Sequence, residues 1–436
     1  MEAKERLKFR AADNEKQGVA MAKIFTKNEW RKINSELDRN ESEYGLPERD
    51  DKSILIASWN IRKFGKIDEK KRDNDHFLFI SKVVKRFDLI SVQEVMDDLS
   101  SIKKLRDLIN EGISKPEERY GLVLSDITGD IPGGPGLQER LAFLYKRNRV
   151  RRTEIASDIS VDRGPVLRKL RNLAGDYIGA LVDLISEHEE KRAKYFEWGK
   201  VWAKLGKRPK PPSAPKLHFA DFLTFVRSPY LVSFQLGVKS ANPYEIMAVG
   251  AHLVFGTPEQ RAKEFSALLE WLSSRLEKPG RAYYPNFLLM GDLNLDLDTE
   301  DDRLDTDKYI KELARSIGSG KRKNQVDIYF PFITPYPSPG ERLTLRSNVK
   351  LSQTYDQIGF FTVDKRMPKS ENRNVLGRPG SLEDYGVFNF TKLFAKAIIN
   401  KAYDKLPSRK KDAFIRRFHN TVSDHMPIWV RLKMPV

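Results

Sequence analysis

Short apolar runs recur along the chain, each closed by a polar or acidic residue, and amphipathic stretches separate them. SILIASWNI (53–61), FDLISVQEV (87–95), YGLVLSDITG (120–129) and RLAFLYKR (140–147) read as strands bounded by charged or turn-forming neighbours. The same pattern predicts strands at FADFLTFVR (219–227), YLVSFQLGV (230–238), EIMAVGAHLVF (245–255), NFLLMGDLNLD (286–296), TYDQIGFFTV (354–363) and HMPIWVRLKM (425–434). Helical spacing predicts a helix over Lys27–Asn40, with Trp30, Ile33 and Leu37 on one face, and further helices over 73–84, 100–110 and 259–276. Strand–helix–strand order in the first third and a strand-rich middle predict a layered α/β fold in place of a helical bundle.

Two stretches break this rhythm. Within 155–217, Asp176–Trp202 keeps helical spacing before the turn-rich GKRPKPPSAPK. Lys191–Lys216 holds nine Lys or Arg against one acidic residue, with Tyr195, Phe196, Trp198 and Trp202 interleaved. A basic surface with stacking aromatics has this composition, as does a helical insertion that packs its own aromatics and turns its lysines to water. The second excursion is 364–420, with LGRPG, VFNF and a basic run near its end. The acidic DLNLDLDTEDDRLDTD (292–307) lacks the central Gly and final Glu of a calcium loop, so Asp298–Asp307 is expected as a solvated surface loop.

Lys and Arg total 78 against 61 Asp and Glu in 436 residues, a net charge of 78 − 61 = +17, which points to a polyanionic partner. Apolar residues at 40% and aromatics at 10% exclude disorder of the whole chain. With no cysteine, a disulfide scaffold, a Cys-ligated metal and a thiol nucleophile are all excluded. MEAKERLKFRAADNEK has no apolar core of a signal peptide, and no run approaches a membrane span, so a cytoplasmic setting without stable membrane association is expected. One domain over 51–436 is expected, carrying insertions at about 155–217 and 364–420 and preceded by a charged segment and helical arm at 1–50.

The chemistry gathers where apolar strands end. Asn60 follows ILIASW, Glu94 follows DLISVQ, His252 sits in AVGAHLVF, and Asp292 and Asn294 close FLLMG. Asp356 lies in TYDQIGF, and Asp424 with His425 opens the last strand. Such residues are costly to bury unless paired or bound to a metal, and their repetition at one kind of position predicts convergence on one site.

SWNIRKFG, SVQEV, GAHL, GDLNLD, TYDQI and SDHMPIWV, in that order, resemble the motifs of the endonuclease/exonuclease/phosphatase superfamily, and most of all its deoxyribonuclease I-like branch. The resemblance implies a four-layered α/β sandwich, with two central, mostly antiparallel sheets flanked by helices, and metal-dependent phosphoester hydrolysis. QERLAFLYKRNRV resembles the branch's stretch bearing the glutamate that orients a catalytic histidine, which pairs Glu139 with His252. RSPYLVSFQL resembles the stretch whose arginine approaches the scissile phosphate, here Arg227.

By the same resemblance Glu94 is the direct metal ligand, with Asn60 and Asp424 as close supports. Asp292 and Asn294 aim the attacking water and hold the phosphate, a task shared with Arg227 and Asn60, and Asp356 orients His425. Mg²⁺, which takes hard oxygen ligands, is the expected cofactor, with Mn²⁺ or Ca²⁺ as substitutes. A carboxylate on one ring nitrogen fixes the histidine tautomer, so one histidine accepts a proton while the other protonates the leaving oxygen; the sequence leaves open which does which. The substrate expected first is nucleic acid, DNA before RNA, with Lys191–Lys216 as a contact surface. The alternatives are a lipid or small-molecule phosphoester and a catalytically silent nucleic-acid-binding protein.

Overall fold

The computed structural model describes residues 24–68, 72–129, 138–160, 163–206, 210–213, 224–276, 280, 282–295, 297, 299–318, 327–333, 345–368 and 384–435. Among these residues, twelve strands form two six-stranded sheets. The first contains β1 (Ser53–Phe64), β2 (Leu89–Met96), β3 (Tyr120–Leu124), β4 (Glu139–Lys146), β11 (Tyr385–Val387) and β12 (Ile428–Lys433), in the order β11-β12-β1-β2-β4-β3. The second contains β5 (Val150–Asp158), β6 (Tyr230–Leu236), β7 (Tyr244–His252), β8 (Phe287–Asp292), β9 (Asp327–Tyr329) and β10 (Asp356–Thr362), in the order β5-β6-β7-β8-β10-β9. β1–β2 and β7–β8 run parallel, and the other pairs are antiparallel.

The helices are α1 (Lys27–Asn40), α2 (Asn74–Val84), α3 (Ser100–Asn110), α4 (Arg163–Lys204), α5 (Pro258–Leu276), α6 (Glu300–Gly318), α7 (Phe390–Ile399) and α8 (Ser408–Thr421). The expected four-layered sandwich is present: two central mixed sheets with helices on their outer faces. No helix among the described residues is long and apolar enough to cross a membrane.

Strand periodicity explains the layering. On β7, Ile246 and Ala248 join the core between the sheets, while Met247, Val249 and Ala251 join a second core beneath α5 and α6. On β8, Leu288 and Met290 face inward and Phe287 and Leu289 outward; β10 repeats this with Ile358 and Phe360 against Phe361. A strand buried on both faces reads as a near-continuous apolar run, which is why periodicity located these strands but not their sheet partners.

Several expectations change. Of FADFLTFVR, residues 219–223 lie outside the described residues, and 224–227 are not a strand. Asp298 lies outside the described residues, but the rest of that acidic run is not a loop: α6 starts at Glu300. Thr299 caps it, its Oγ1 accepting from Asp302 N at 3.1 Å while the Asp302 carboxylate accepts from Thr299 N at 3.1 Å. Carboxylates favour a helix N-terminus, so the acidity marks a helix start.

The stretch 364–420 supplies β11, α7 and α8, whose Phe390, Phe394 and Phe418 lie in the same buried cluster as Phe25, Trp30 and Ile33 of the arm around α1. Within 155–217 the described part is chiefly α4, 42 residues long, with Phe196, Trp198 and Val201 exposed. Residues 207–209 and 214–216 of the basic run lie outside the described residues.

Candidate active site

The parity that builds the inter-sheet core also delivers the site. His252 continues the inward series Ile246, Ala248 and Gly250 of β7, Asp292 continues Leu288 and Met290, and Asp356 precedes Ile358 and Phe360. Asp292 stands in register with His252 on parallel β7 and with Asp356 on antiparallel β10, so one carboxylate has the other two residues as ladder neighbours. Gly291 is required beside it: a Cβ there would lie 1.8 Å from the Ala251 carbonyl oxygen.

From the facing sheet, Glu139 shares parity with Phe143, whose ring lies 3.3 Å from the Cβ position of Gly250. Asn60 stands near the end of β1. Glu94 lies within a register shift on β2, between Val92 and Val95, and adopts a left-handed φ of +58°. Such backbone is strained for a residue with a Cβ. Here it is fixed because Glu94 Oε1 accepts from Asn60 Nδ2 at 3.1 Å and Oε2 from Lys63 N at 2.9 Å. Asn294, φ +50°, also turns left-handed just beyond β8.

Two histidine–carboxylate pairs bridge the sheets in opposite senses. His252, on the second sheet, reaches Glu139 of the first, Nδ1 to Oε1 at 2.6 Å. His425, from the loop entering β12 of the first sheet, reaches Asp356 of the second, Nδ1 to Oδ2 at 2.8 Å. Both Nε2 atoms then face the same oxygen: Asp292 Oδ2 lies 3.8 Å from His252 and 3.5 Å from His425. Asn60 Nδ2 donates to that oxygen at 3.1 Å, and Asn294 N donates to Asp292 Oδ1, also at 3.1 Å.

The electrostatics follow from this shared oxygen. Burial alone would raise the Asp292 carboxyl, but the imidazoles of His425 and His252 and the two hydrogen bonds hold it below its ordinary value. Burial works against a charged His252, yet Glu139 raises its affinity for a proton above the ordinary imidazole value. His425 is likewise opposed by burial and held well above that value by Asp356 and Asp292.

Arg227 Nε lies 3.2 Å from Glu139 Oε1, and its Nη1 donates to the Leu253 carbonyl at 3.3 Å. Asn294 Nδ2 donates to the same carbonyl at 2.9 Å. Asp424 lies before β12, not on it, and its Oδ2 pairs with Arg62 Nη1 at 2.6 Å. The sequence patterns did not single out Arg62, although it lies inside SWNIRKFG, two residues beyond Asn60. They also missed Ser423 and Trp59, which fix the His425 loop. Ser423 Oγ donates to Asn60 O at 2.7 Å and accepts from His425 N at 3.2 Å, and Trp59 Nε1 donates to His425 O at 3.0 Å.

Acidic and histidine side chains able to hold a divalent cation are present. One ligand atom each from Asp292, Asp356 and His425 lies within 4.8 Å of the others. Asn60 Oδ1 and Asp424 Oδ1 are buried without a hydrogen-bond partner, and with Glu94 they offer a hard, all-oxygen donor set. Asp356 Oδ1 is likewise buried without a hydrogen-bond partner, so both groups hold an orphaned oxygen that a divalent cation could satisfy.

No family model matches the chain. Over 100 residues it is 34% identical to deoxyribonuclease-1 of Bos taurus, a stretch covering 22% of this chain and 32% of that protein. Over 99 residues it is 33% identical to deoxyribonuclease gamma of Rattus norvegicus, covering 22% and 30%. The chain thus spans about a third of the length of the curated relatives it matches. An endonuclease/exonuclease/phosphatase family protein of Bacteroides thetaiotaomicron aligns with a TM-score of 0.41 at 13% identity, over 88% of this chain and 96% of that one. The human Nocturnin catalytic domain, solved with bound sulfate, aligns with a TM-score of 0.41 at 10% identity, over 87% and 92%.

Proposed function

We propose that this chain is a metal-dependent phosphoesterase of the endonuclease/exonuclease/phosphatase superfamily, acting on the nucleic-acid backbone as a DNA endonuclease, through one catalytic domain over 51–436. Its principal support is the shared oxygen: two imidazoles, each backed by a carboxylate, face Asp292 Oδ2 at 3.8 and 3.5 Å. Phosphodiester hydrolysis needs one proton removed from water and one delivered to the leaving oxygen, and two oriented histidines flanking a carboxylate supply both.

In this function Asp292 holds the attacking water between the two rings. Glu139 and Asp356 fix the tautomers of His252 and His425. Asn294 and Arg227 bind the non-bridging phosphate oxygens, with Asn60 beside them. Glu94, Asn60 and Asp424 hold the cation, Mg²⁺ with Mn²⁺ or Ca²⁺ as substitutes, which when bound neutralises phosphoryl charge. The net charge of +17 and the exposed Phe196 and Trp198 of α4 suit a strand-contacting surface, whose affinity falls steeply with salt.

The test is a cleavage panel of supercoiled plasmid, linear duplex, single-stranded DNA, RNA and phosphoinositides, with Mg²⁺ or EDTA, comparing wild type with His252→Ala. Metal-dependent nicking of plasmid that the variant loses is the expected result. Turnover of a phosphoinositide alone would replace nucleic acid as the substrate, and equal nicking by both proteins would remove His252 from the chemistry.

A further inference from the structure

Glu264 lies on α5, on the helical layer behind β7, and none of the site motifs contains it. It is 3% exposed, so its carboxylate needs internal partners, and it finds them on two separate segments. Oε1 accepts from Val226 N at 2.9 Å, and Oε2 accepts from Val254 N. Val226 immediately precedes Arg227, and Val254 follows His252 by two residues. One buried side chain therefore ties the approach to Arg227 to the exit from the His252 strand.

Between those anchors lies Leu253, which links β7 to the site. Its N–H donates to Asp292 O at 3.0 Å, and its carbonyl accepts from both Arg227 Nη1 and Asn294 Nδ2. Without Glu264 the Val226 and Val254 amides would lose their acceptor, and the Leu253–Val254 peptide plane, which carries the Leu253 carbonyl, would lose its anchor on the Val254 side. We propose that Glu264 is a positioning residue for the His252 half of the site, setting the Leu253 carbonyl and through it the orientation of Arg227 and Asn294. Rather than touching substrate, it acts through these two groups, and its effect on turnover depends on the phosphoesterase function proposed above.

Glu264→Gln is nearly the same size but offers one acceptor oxygen where two amides donate. Displacing a phosphate-binding group by a fraction of an ångström to an ångström lowers turnover by roughly 10- to 100-fold. The expected result is a fall in kcat of that order for Glu264→Gln with KM held within about threefold. Combining it with Arg227→Ala should cost less than the product of the two single losses, since the second change then removes an effect already lost.

Phe265→Leu, next along the same helix and packed in the outer core, controls for destabilisation. At a matched fall in Tm it should keep kcat. Full kcat in folded Glu264→Gln, an equal kcat loss in Phe265→Leu, or multiplying losses in the double variant would each overturn the inference. A readout independent of turnover separates its failure from failure of the proposed reaction. The Arg227 Nε–H resonance, assigned through its disappearance in Arg227→Lys, should shift in Glu264→Gln even if wild type hydrolyses nothing, and an unmoved resonance overturns the positioning role.

Discussion

The two halves of the candidate site reach the same oxygen by different means. His252 ends a buried strand, and ladder register alone sets it beside Asp292. His425 sits in a loop before β12 and is held by side chains: Ser423 on its amide, Trp59 on its carbonyl and Asp356 on its ring.

Behind each half stands a buried ion of opposite sign. Glu264 collects amides behind the strand half. Arg72, 8% exposed, serves the loop half, donating from Nη1 to Lys63 O at 3.2 Å and from Nε to Thr421 O at 3.3 Å, with Nη2 shared between the Arg62 and Val422 carbonyls. Backbone without a ladder partner exposes carbonyls that need donors, and a guanidinium offers five N–H groups in one plane. The backbone around the loop-borne histidine is thus tied by a buried guanidinium, whereas the strand-borne one is placed by its ladder.

The largest expected effect removes what the halves share. Asp292→Ala should lower kcat/KM on the order of 10⁴-fold, because residues that act as a unit fail together. A loss below tenfold would mean that the two imidazoles do not act through this oxygen.

Next come the two orienting carboxylates, which should separate the halves. Glu139→Gln and Asp356→Asn should each lower kcat by about 10²–10⁴-fold. Only Glu139→Gln should also shift the Arg227 Nε–H resonance, because of the two carboxylates Glu139 alone lies beside Arg227, at 3.2 Å. An equal shift in the two variants would erase the distinction.

Smaller again is Arg72→Met, which leaves four carbonyls without their donor. Stability should fall by about 1–3 kcal/mol, measured by urea unfolding, and kcat should drop while the Arg227 Nε–H resonance stays in place. Movement of that resonance would show that the halves are not independently supported.

The smallest effect concerns the arm that backs α8, the helix leading into the His425 loop. Burial raises the Glu29 carboxyl, but the Arg417 guanidinium at 2.5 Å and the Thr26 amide at 2.7 Å outweigh it and hold the group below its ordinary value of 4.5. A depressed folded value means the unfolded chain takes up the proton first as pH falls. The contribution is therefore complete above pH 4.5 and is lost as the pH drops below that through the folded value. Partial solvent screening limits it to under about 1 kcal/mol. Glu29→Gln should flatten the acid limb of a Tm-against-pH curve by that amount, and an unchanged limb would remove this pair from the support of α8.

Much of the site was legible as sequence because apolar runs close on polar or acidic residues. The runs of β7, β8 and β10 end in or begin with His252, Asp292 and Asp356, so residue type at the strand ends foretold convergence on one site. The same local code gave α1, whose Trp30, Ile33 and Leu37 lie buried as their spacing required. It misjudged Glu300–Asp307, where acidity read as solvation marks a capped helix start, it passed over β5, which is polar and largely exposed, and it had no means to find β9 or β11, which are 3 residues each.

What the sequence determined by itself was thus most of the strands and the chemistry at their ends, since both rest on neighbours one to four positions away. The tertiary structure decided the rest: which sheet each strand joins, that each histidine takes its carboxylate from the opposite sheet, and that Arg72 and Glu264 back the two halves. Those contacts join residues as far apart as Arg72 and Val422, and a buried ion's partners are backbone groups that every residue carries, so no residue type along the chain announces them.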